Sequence, residues 1–322
     1  MRHVAELPEV ETMRRDLARE IVGLRILGVR VAQTRMLGRQ DAETLRSRVE
    51  HRFVAAIGRR GKFLLLRLAT GGGNVAAARN GFPTFNSPWA VEGDAIDRPI
   101  LAPNGACQGC PEDGDALLIH RGMTGNLFLK QPSDPPDAHL HLALLLDDGR
   151  ELRLCDHRGF GEVRWVSGEE IAALCARLGP EPLGPAFTAK YLAGQLARRS
   201  ALVKALLLNQ SVVAGLGNIY VDEALWAAMV HPARRANTLS EAEAASIRDA
   251  IVRLVRESID CRGTTFRDYK DLYGRPGGNS RHLQVFHRAK EPCPRCGEPI
   301  QLVRAAGRGS SVCLACQSPP TG

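Results

Sequence analysis

No run of about 18 apolar residues occurs anywhere in the 322-residue chain, so nothing in it reads as a membrane-spanning helix. Nor does it open on a basic stub followed by an apolar stretch. Its first residues are charged and proline-bearing, which argues against a secretory signal and for a cytosolic protein. No tandem repeat is apparent. Aromatic residues are sparse at 5%, but 44% of the chain is hydrophobic, which suits a globular protein long enough for two domains with cores.

What is present in excess is positive charge. Lys plus Arg number 43 against 35 Asp plus Glu, a net +8, which favours a polyanionic partner through long-range attraction. Many basic proteins bind no nucleic acid, so the charge alone decides little. The nine cysteines, in a reducing compartment, point to metal ligation or buried thiols rather than disulfides.

Four of the nine read Cys293-Pro294-Arg295-Cys296, then sixteen residues, then Cys313-Leu314-Ala315-Cys316. Each pair makes a knuckle, and two knuckles close one tetrahedron of thiolates, which predicts a zinc ribbon with one structural Zn2+. A segment of about 30 residues cannot bury enough apolar surface to fold alone, so the metal would supply most of its stability. Cys155, Cys175 and Cys261 are expected as buried small hydrophobes. Cys107-Gln108-Gly109-Cys110 forms a further knuckle with no second pair or nearby His, which leaves a second metal or a redox pair open.

The rest of the chain divides by texture. Leu7-Pro8-Glu9-Val10-Glu11-Thr12 opens a helix, with proline and acids suited to its first turn and Val10, Met13, Leu17 and Ile21 at helical spacing. Glu6 therefore stands at the mouth of a helix N-terminus. From about 25 to 166, short leucine-rich or β-branched runs alternate with turns such as Asp147-Asp148-Gly149, which predicts an antiparallel β-domain. From about 169 to 259 the pattern becomes helical, ending in a long helix opened by the capping pair Ser240 and Glu243. The Gly- and Pro-rich stretch at about 71–114 reads as an insertion between two strands. The expected architecture is α+β, with domains at 1–166, 167–262 and 263–322.

Three blocks carry the functional case: Ala5-Glu6-Leu7-Pro8-Glu9-Val10-Glu11-Thr12, Gly58-Arg59-Arg60-Gly61-Lys62-Phe63-Leu64 and Gly215-Leu216-Gly217-Asn218-Ile219-Tyr220. They continue through Ile119-His120-Arg121-Gly122-Met123-Thr124-Gly125, Asp156-His157-Arg158-Gly159-Phe160-Gly161 and Leu283-Gln284-Val285-Phe286 into the cysteine ribbon. In this order they resemble the formamidopyrimidine-DNA glycosylase family of the Fpg/Nei superfamily, over essentially the whole chain except residues 1–4 and the insertion. The resemblance implies an N-terminal helix plus β-sandwich domain and a C-terminal helix-two-turn-helix domain with the zinc ribbon, clamping damaged double-stranded DNA between them. It further implies a monomer that removes formamidopyrimidines and 8-oxoguanine and then cleaves the strand at the abasic site.

By the same resemblance, Met123, Arg158 and Phe160 fill the hole left by a flipped nucleotide, two by apolar bulk and Arg158 by bonding the orphaned base. Lys62, Asn218 and Arg308 match phosphate contacts, with Asn218 following glycines that allow backbone to approach DNA closely and Arg308 on a hairpin of the ribbon. Glu6 matches the catalytic carboxylate, a proton carrier whose pKa burial and the helix end would tune, and Lys62 is a second catalytic candidate. Glu9 and Glu11 read as supporting residues.

The chain departs from the family at one decisive place. The family's nucleophile is an N-terminal proline, and Ala5 stands there, preceded by Met1-Arg2-His3-Val4. Inside a peptide bond the Ala5 nitrogen has no lone pair for attack. Either translation starts at the codon read as Val4, so that methionine removal exposes Ala5 as a primary amine, or the extension is real. In the second case the protein is a water-using monofunctional glycosylase or a lesion-binding protein without activity. His157 and Gly159 also replace the usual Pro and Arg. A zinc-ribbon transcription or RNA factor would leave the first 70 residues unexplained.

Overall fold

The computed structural model describes residues 5–71 and 114–320; Met1–Val4, most of the expected insertion and its cysteine knuckle lie outside the described residues. In chain order the elements of the first half are α1 (Leu7–Ile21), β1 (Ile26–Val31), α2 (Ala42–Val49), β2 (Phe53–Arg60), β3 (Phe63–Ala69), β4 (Ala116–His120), β5 (Asn126–Lys130), β6 (Leu140–Leu146), β7 (Glu151–Cys155) and β8 (Glu162–Val166). The strands form two four-stranded sheets, β1-β6-β7-β5 and β2-β3-β4-β8, with every pairing antiparallel.

The period-two rule explains why β3 is a solid run of leucines rather than an alternation. Leu64 and Leu66 enter the core between the sheets with Leu117 and Ile119, while Leu65 faces the other way and packs with Leu118 and Ile171. Ile171 belongs to α3 (Gly168–Arg177), which covers that outer face. Both faces of this sheet are therefore buried over β3 and β4, which is the environment an all-apolar strand requires.

Downstream lie α4 (Ala189–Ala197), α5 (Val203–Leu208), α6 (Asn218–Ala227) and α7 (Glu241–Asp260), around a second core that includes Leu192, Leu207, Tyr220, Leu225 and Ile251. The capping box expected before α7 is present: Ser240 N–H donates to Glu243 Oε2 at 2.8 Å and Glu243 N–H to Ser240 Oγ at 3.2 Å. The ribbon closes the chain as a hairpin, β9 (Gln301–Ala305) and β10 (Arg308–Val312), joined at Ala306-Gly307.

Helix α1 joins the two cores. Val10, Met13, Leu17 and Ile21 lie in the sandwich core, as their spacing predicts, but Leu7 belongs to the helical core. Burying a leucine contributes about 2 kcal/mol, so the first turn of α1 is held by the other domain. Ions reinforce the joint. Arg59 donates to Glu11 at 2.9 Å and to Glu181 at 2.8 Å; Arg60 donates to Glu181 at 3.0 Å and to the carbonyls of Leu178 and Gly179.

Among the cysteines outside the ribbon, Cys155 is buried and Cys261 half-buried, both free thiols. Cys175 differs from expectation, being disulfide-bonded. Among the described residues, no helix is long and apolar enough to cross a membrane.

Candidate active site

Glu6 sits just before α1 and is 2% exposed. Its Oε1 accepts from the Ile219 N–H at 3.0 Å, at the start of α6, while Oε2 is buried without a partner. The glycines of the Gly215-Leu216-Gly217 turn allow this contact. A Cβ on Gly217 would lie 2.3 Å from the Glu6 carboxyl carbon, and one on Gly215 would lie 2.7 Å from Leu7. The approach that these glycines serve in the structure is thus that of α1's own first residues. Burial raises the Glu6 carboxyl from 4.5 to about 7, with Lys62 opposing and Glu9 adding to the rise.

Glu9 fixes Glu6 from behind. One carboxylate oxygen takes the Glu6 N–H at 3.0 Å; the other accepts from the Tyr220 hydroxyl and the Thr264 N–H, both at 2.8 Å. Burial pushes its pKa up, and those hydrogen bonds pull it down. Three separate segments thus meet on one buried acid.

Lys62 lies in the two-residue turn between β2 and β3, beside Gly61, whose N–H donates to Glu181 at 2.7 Å. Burial pulls its ammonium below the ordinary range; Glu6 opposes that and Arg308 adds to it. Lys62, Glu6 and Arg308 therefore share one electrostatic neighbourhood, although they come from the sandwich, α1 and the ribbon.

Arg308 is exposed and opens β10. The next residues anchor it: Gly309 O accepts from Asn218 Nδ2 and from Lys204 Nζ, both at 3.1 Å, and Lys204 Nζ also donates to Ser310 Oγ and Asp222 Oδ1 at 2.6 Å. Asp222 completes the lock by accepting the Ser311 N–H at 3.0 Å. Lys204 and Asp222 have fully buried side chains. Beyond the hairpin the sulfur atoms of Cys293, Cys296, Cys313 and Cys316 lie within 4.8 Å of one another. Zn–S bonds of about 2.3 Å in a tetrahedron put sulfurs roughly 3.8 Å apart, so the four thiolates fit one zinc ion.

The three expected wedge residues converge through Asp156. Its carboxylate accepts from Thr124 Oγ1, from the Arg158 N–H at 3.1 Å and from the Gly161 N–H at 2.8 Å. The turn carrying Met123 and the turn carrying Arg158 and Phe160 are thereby stapled together. Gly122 has φ +62 and no room for a side chain, since its Cβ would meet Phe160 O at 2.6 Å. Phe160 is 50% exposed, and the Arg158 guanidinium lies 5.1 Å from its ring centroid.

Between these groups opens a cavity of about 540 Å³. Ala5, Glu9, Met123 and Arg158 line one side, and the segment after α7, including Thr264, Phe266, Asp268 and Tyr269, lines another. The Ala5 N–H donates to Gly122 O at 3.3 Å. Glu6 and Lys62 are not in the wall; Glu6 reaches it through Ile219, which is. The cysteine quartet lies apart from it. Sequence reasoning did not single out Tyr220, Thr264, Asp156, Lys204, Asp222, Glu181 or Arg121. Most of their partners are distant in sequence, and the near ones, such as Gly125 and Asn126 for Arg121, give no sign that the side chain is buried.

Comparison with known proteins agrees with this arrangement. The formamidopyrimidine-DNA glycosylase N-terminal domain matches residues 4–163, its H2TH domain residues 178–270, and the zinc finger found in FPG and IleRS residues 290–319. The formamidopyrimidine-DNA glycosylase of Symbiobacterium thermophilum is 40% identical over 98% of this chain and 90% of its own length. That of Herpetosiphon aurantiacus is 37% identical over 97% and 99%. The Lactococcus lactis Fpg in complex with abasic-site DNA superposes with a TM-score of 0.80 at 31% identity, covering 98% of this chain and all of that one. The wild-type Lactococcus lactis Fpg bound to DNA containing N7-benzyl-Fapy-dG gives 0.79 at 30%.

Proposed function

The chain belongs to the formamidopyrimidine-DNA glycosylase family, and from that premise we propose that it flips oxidised purines, formamidopyrimidine and 8-oxoguanine, out of duplex DNA and removes them in base excision repair. The observation that carries this reading is the Glu6 carboxyl, buried behind the Ile219 wall of a cavity with room for a nucleobase, its pKa raised to about 7 and one oxygen left unbonded. A carboxyl poised there both accepts and returns a proton at working pH. Met123, Arg158 and Phe160 occupy the place vacated by the base, with the exposed ring of Phe160 as the wedge. Lys62, Asn218 and Arg308 take the phosphates.

Ala5 lies in the cavity wall one residue from Glu6. As a free primary amine it attacks C1′, the glycosidic bond breaks, and the departing base takes a proton. The amine then loses a proton as the C1′–O4′ bond opens and O4′ is protonated, and the resulting Schiff base permits β-elimination of the 3′ phosphate, which is the lyase step. A chain whose N-terminus is Ala5 supplies that amine. With Ala5 acylated, water takes the place of the amine and only the base is lost. The bacterial relatives support work in the cytosol, where the chromosome lies.

Incubation with an 8-oxoguanine duplex, with chromatographic detection of free base, tests the glycosylase. Absence of released base at stoichiometric protein would leave lesion binding as the function. Borohydride trapping with intact-mass analysis, on protein made from the native gene start, tests the nucleophile. A covalent adduct on a chain beginning at Ala5 is expected, whereas an intact Met1 with no adduct would remove the amine mechanism.

A further inference from the structure

The cavity wall contains a cation that this chemistry leaves unused. Arg121 is 2% exposed and lines the cavity. Its Nε donates to Gly125 O at 2.7 Å and its Nη2 to Asn126 Oδ1 at 2.6 Å, and its Cζ stands 5.0 Å from the centroid of the Tyr269 ring. Nη1 is buried and has no hydrogen-bond partner. A guanidinium in a protein keeps its proton, and a buried charged donor left unbonded is costly. An unpaired buried donor in a cavity wall calls for a partner, and a ligand entering that cavity is able to supply one.

Its orientation is also fixed from outside. Asn126 Oδ1 accepts the Lys270 N–H at 3.1 Å as well as Arg121, and Asn126 Nδ2 donates to Asp268 O at 2.7 Å. Arg121 is thereby gripped between the sandwich and the segment that forms the far wall of the cavity, and it cannot turn to find another acceptor. A role as clamp is fulfilled by Nε, Nη2 and the Tyr269 face alone. It leaves Nη1 unexplained.

Resting on the glycosylase reading above, we propose that Arg121 is a specificity-determining residue whose Nη1 donates a hydrogen bond to a carbonyl oxygen of the base turned into the cavity. Oxidation gives 8-oxoguanine a carbonyl at C8 beside the one at C6, whereas 8-oxoadenine carries only the C8 oxygen. Either oxygen suits a guanidinium donor. The cavity, at about 540 Å³, has room for a purine.

The test compares dissociation constants of Arg121→Leu and wild type for three otherwise identical duplexes, carrying 8-oxoguanine, 8-oxoadenine or a tetrahydrofuran abasic analogue. A hydrogen bond to a charged donor corresponds to roughly a 10- to 100-fold change. The preference for 8-oxoguanine over tetrahydrofuran is therefore expected to fall at least tenfold in the variant. Loss on 8-oxoadenine as well assigns the bond to the C8 oxygen, and loss confined to 8-oxoguanine assigns it to C6. Should the leucine variant fail to fold, Arg121→Gln takes its place, since its amide can reach Asn126 but is too short for the base. An unchanged preference in a folded variant, or an equal loss on all three duplexes, overturns the proposal. Failure of the wild type to release 8-oxoguanine would instead defeat the glycosylase reading, and the binding ratios would still decide the role of Arg121.

Discussion

Glu6→Gln should stabilise the folded protein at alkaline pH while removing its proposed chemistry. The carboxyl rises from 4.5 to about 7 because burial penalises its charge. A group raised on folding contributes stability that is fully present below its unfolded pKa and lost as pH climbs through the folded value. Folding therefore loses support from Glu6 between about pH 4.5 and 7. At roughly 1.4 kcal/mol per tenfold change in acidity, the loss is about 3 kcal/mol. Glutamine is neutral throughout and escapes it. Part of the gain is offset because Lys62, half-buried nearby, loses the carboxylate that supports its charge. A net gain of about 1–3 kcal/mol at pH 8 remains, with almost none at pH 4.5, which in a chain of this size is a Tm increase of a few degrees. Thermal melts of the zinc-loaded wild type and variant at the two pH values read it. Equal effects at both, or a loss at pH 8, would refute the claim that Glu6 is held protonated by burial.

Other outcomes follow from contacts between segments. Gly217→Ala drives a methyl into the Glu6 carboxyl, 2.3 Å from its carbon, and should cut base excision more than tenfold while duplex binding persists, as gel shifts and single-turnover assays would reveal. Asp222→Ala strands the buried Lys204 ammonium and should cost about 3–5 kcal/mol in urea unfolding; replacing Lys204 with Met in the same chain should recover much of that. Arg308→Ala should weaken binding to every duplex and lower the slope of log K against log salt by about 1, measured by titration between 50 and 200 mM salt.

Much of this site was legible because its signals are local. The cysteine spacing determines the ribbon by ligand geometry alone, the strands announce themselves by run length and turns, and the capping pair Ser240 and Glu243 marks the start of α7 where the structure has it. What escaped depends on topology. Nothing near Leu7 says that it leaves the core of its own helix for that of the other domain. Lys204 and Ser310 stand 106 residues apart, so their bond cannot be read from either neighbourhood. The two glycines before Asn218 were read as making way for DNA; the bodies that they accommodate in the structure are Glu6 and Leu7. Arg121 was quoted within a motif and passed over, because only the fold shows that it is buried, clamped and one hydrogen bond short.

The account rests most heavily on Glu6 as the proton carrier of an oxidised-purine glycosylase. Single-turnover release of 8-oxoguanine from a duplex, by wild type and by Glu6→Gln at equal DNA occupancy, tests this directly. Rapid release by the wild type and a loss of at least a hundredfold in the still-binding variant is the predicted result. Equal release by both, or none from the wild type, would contradict it.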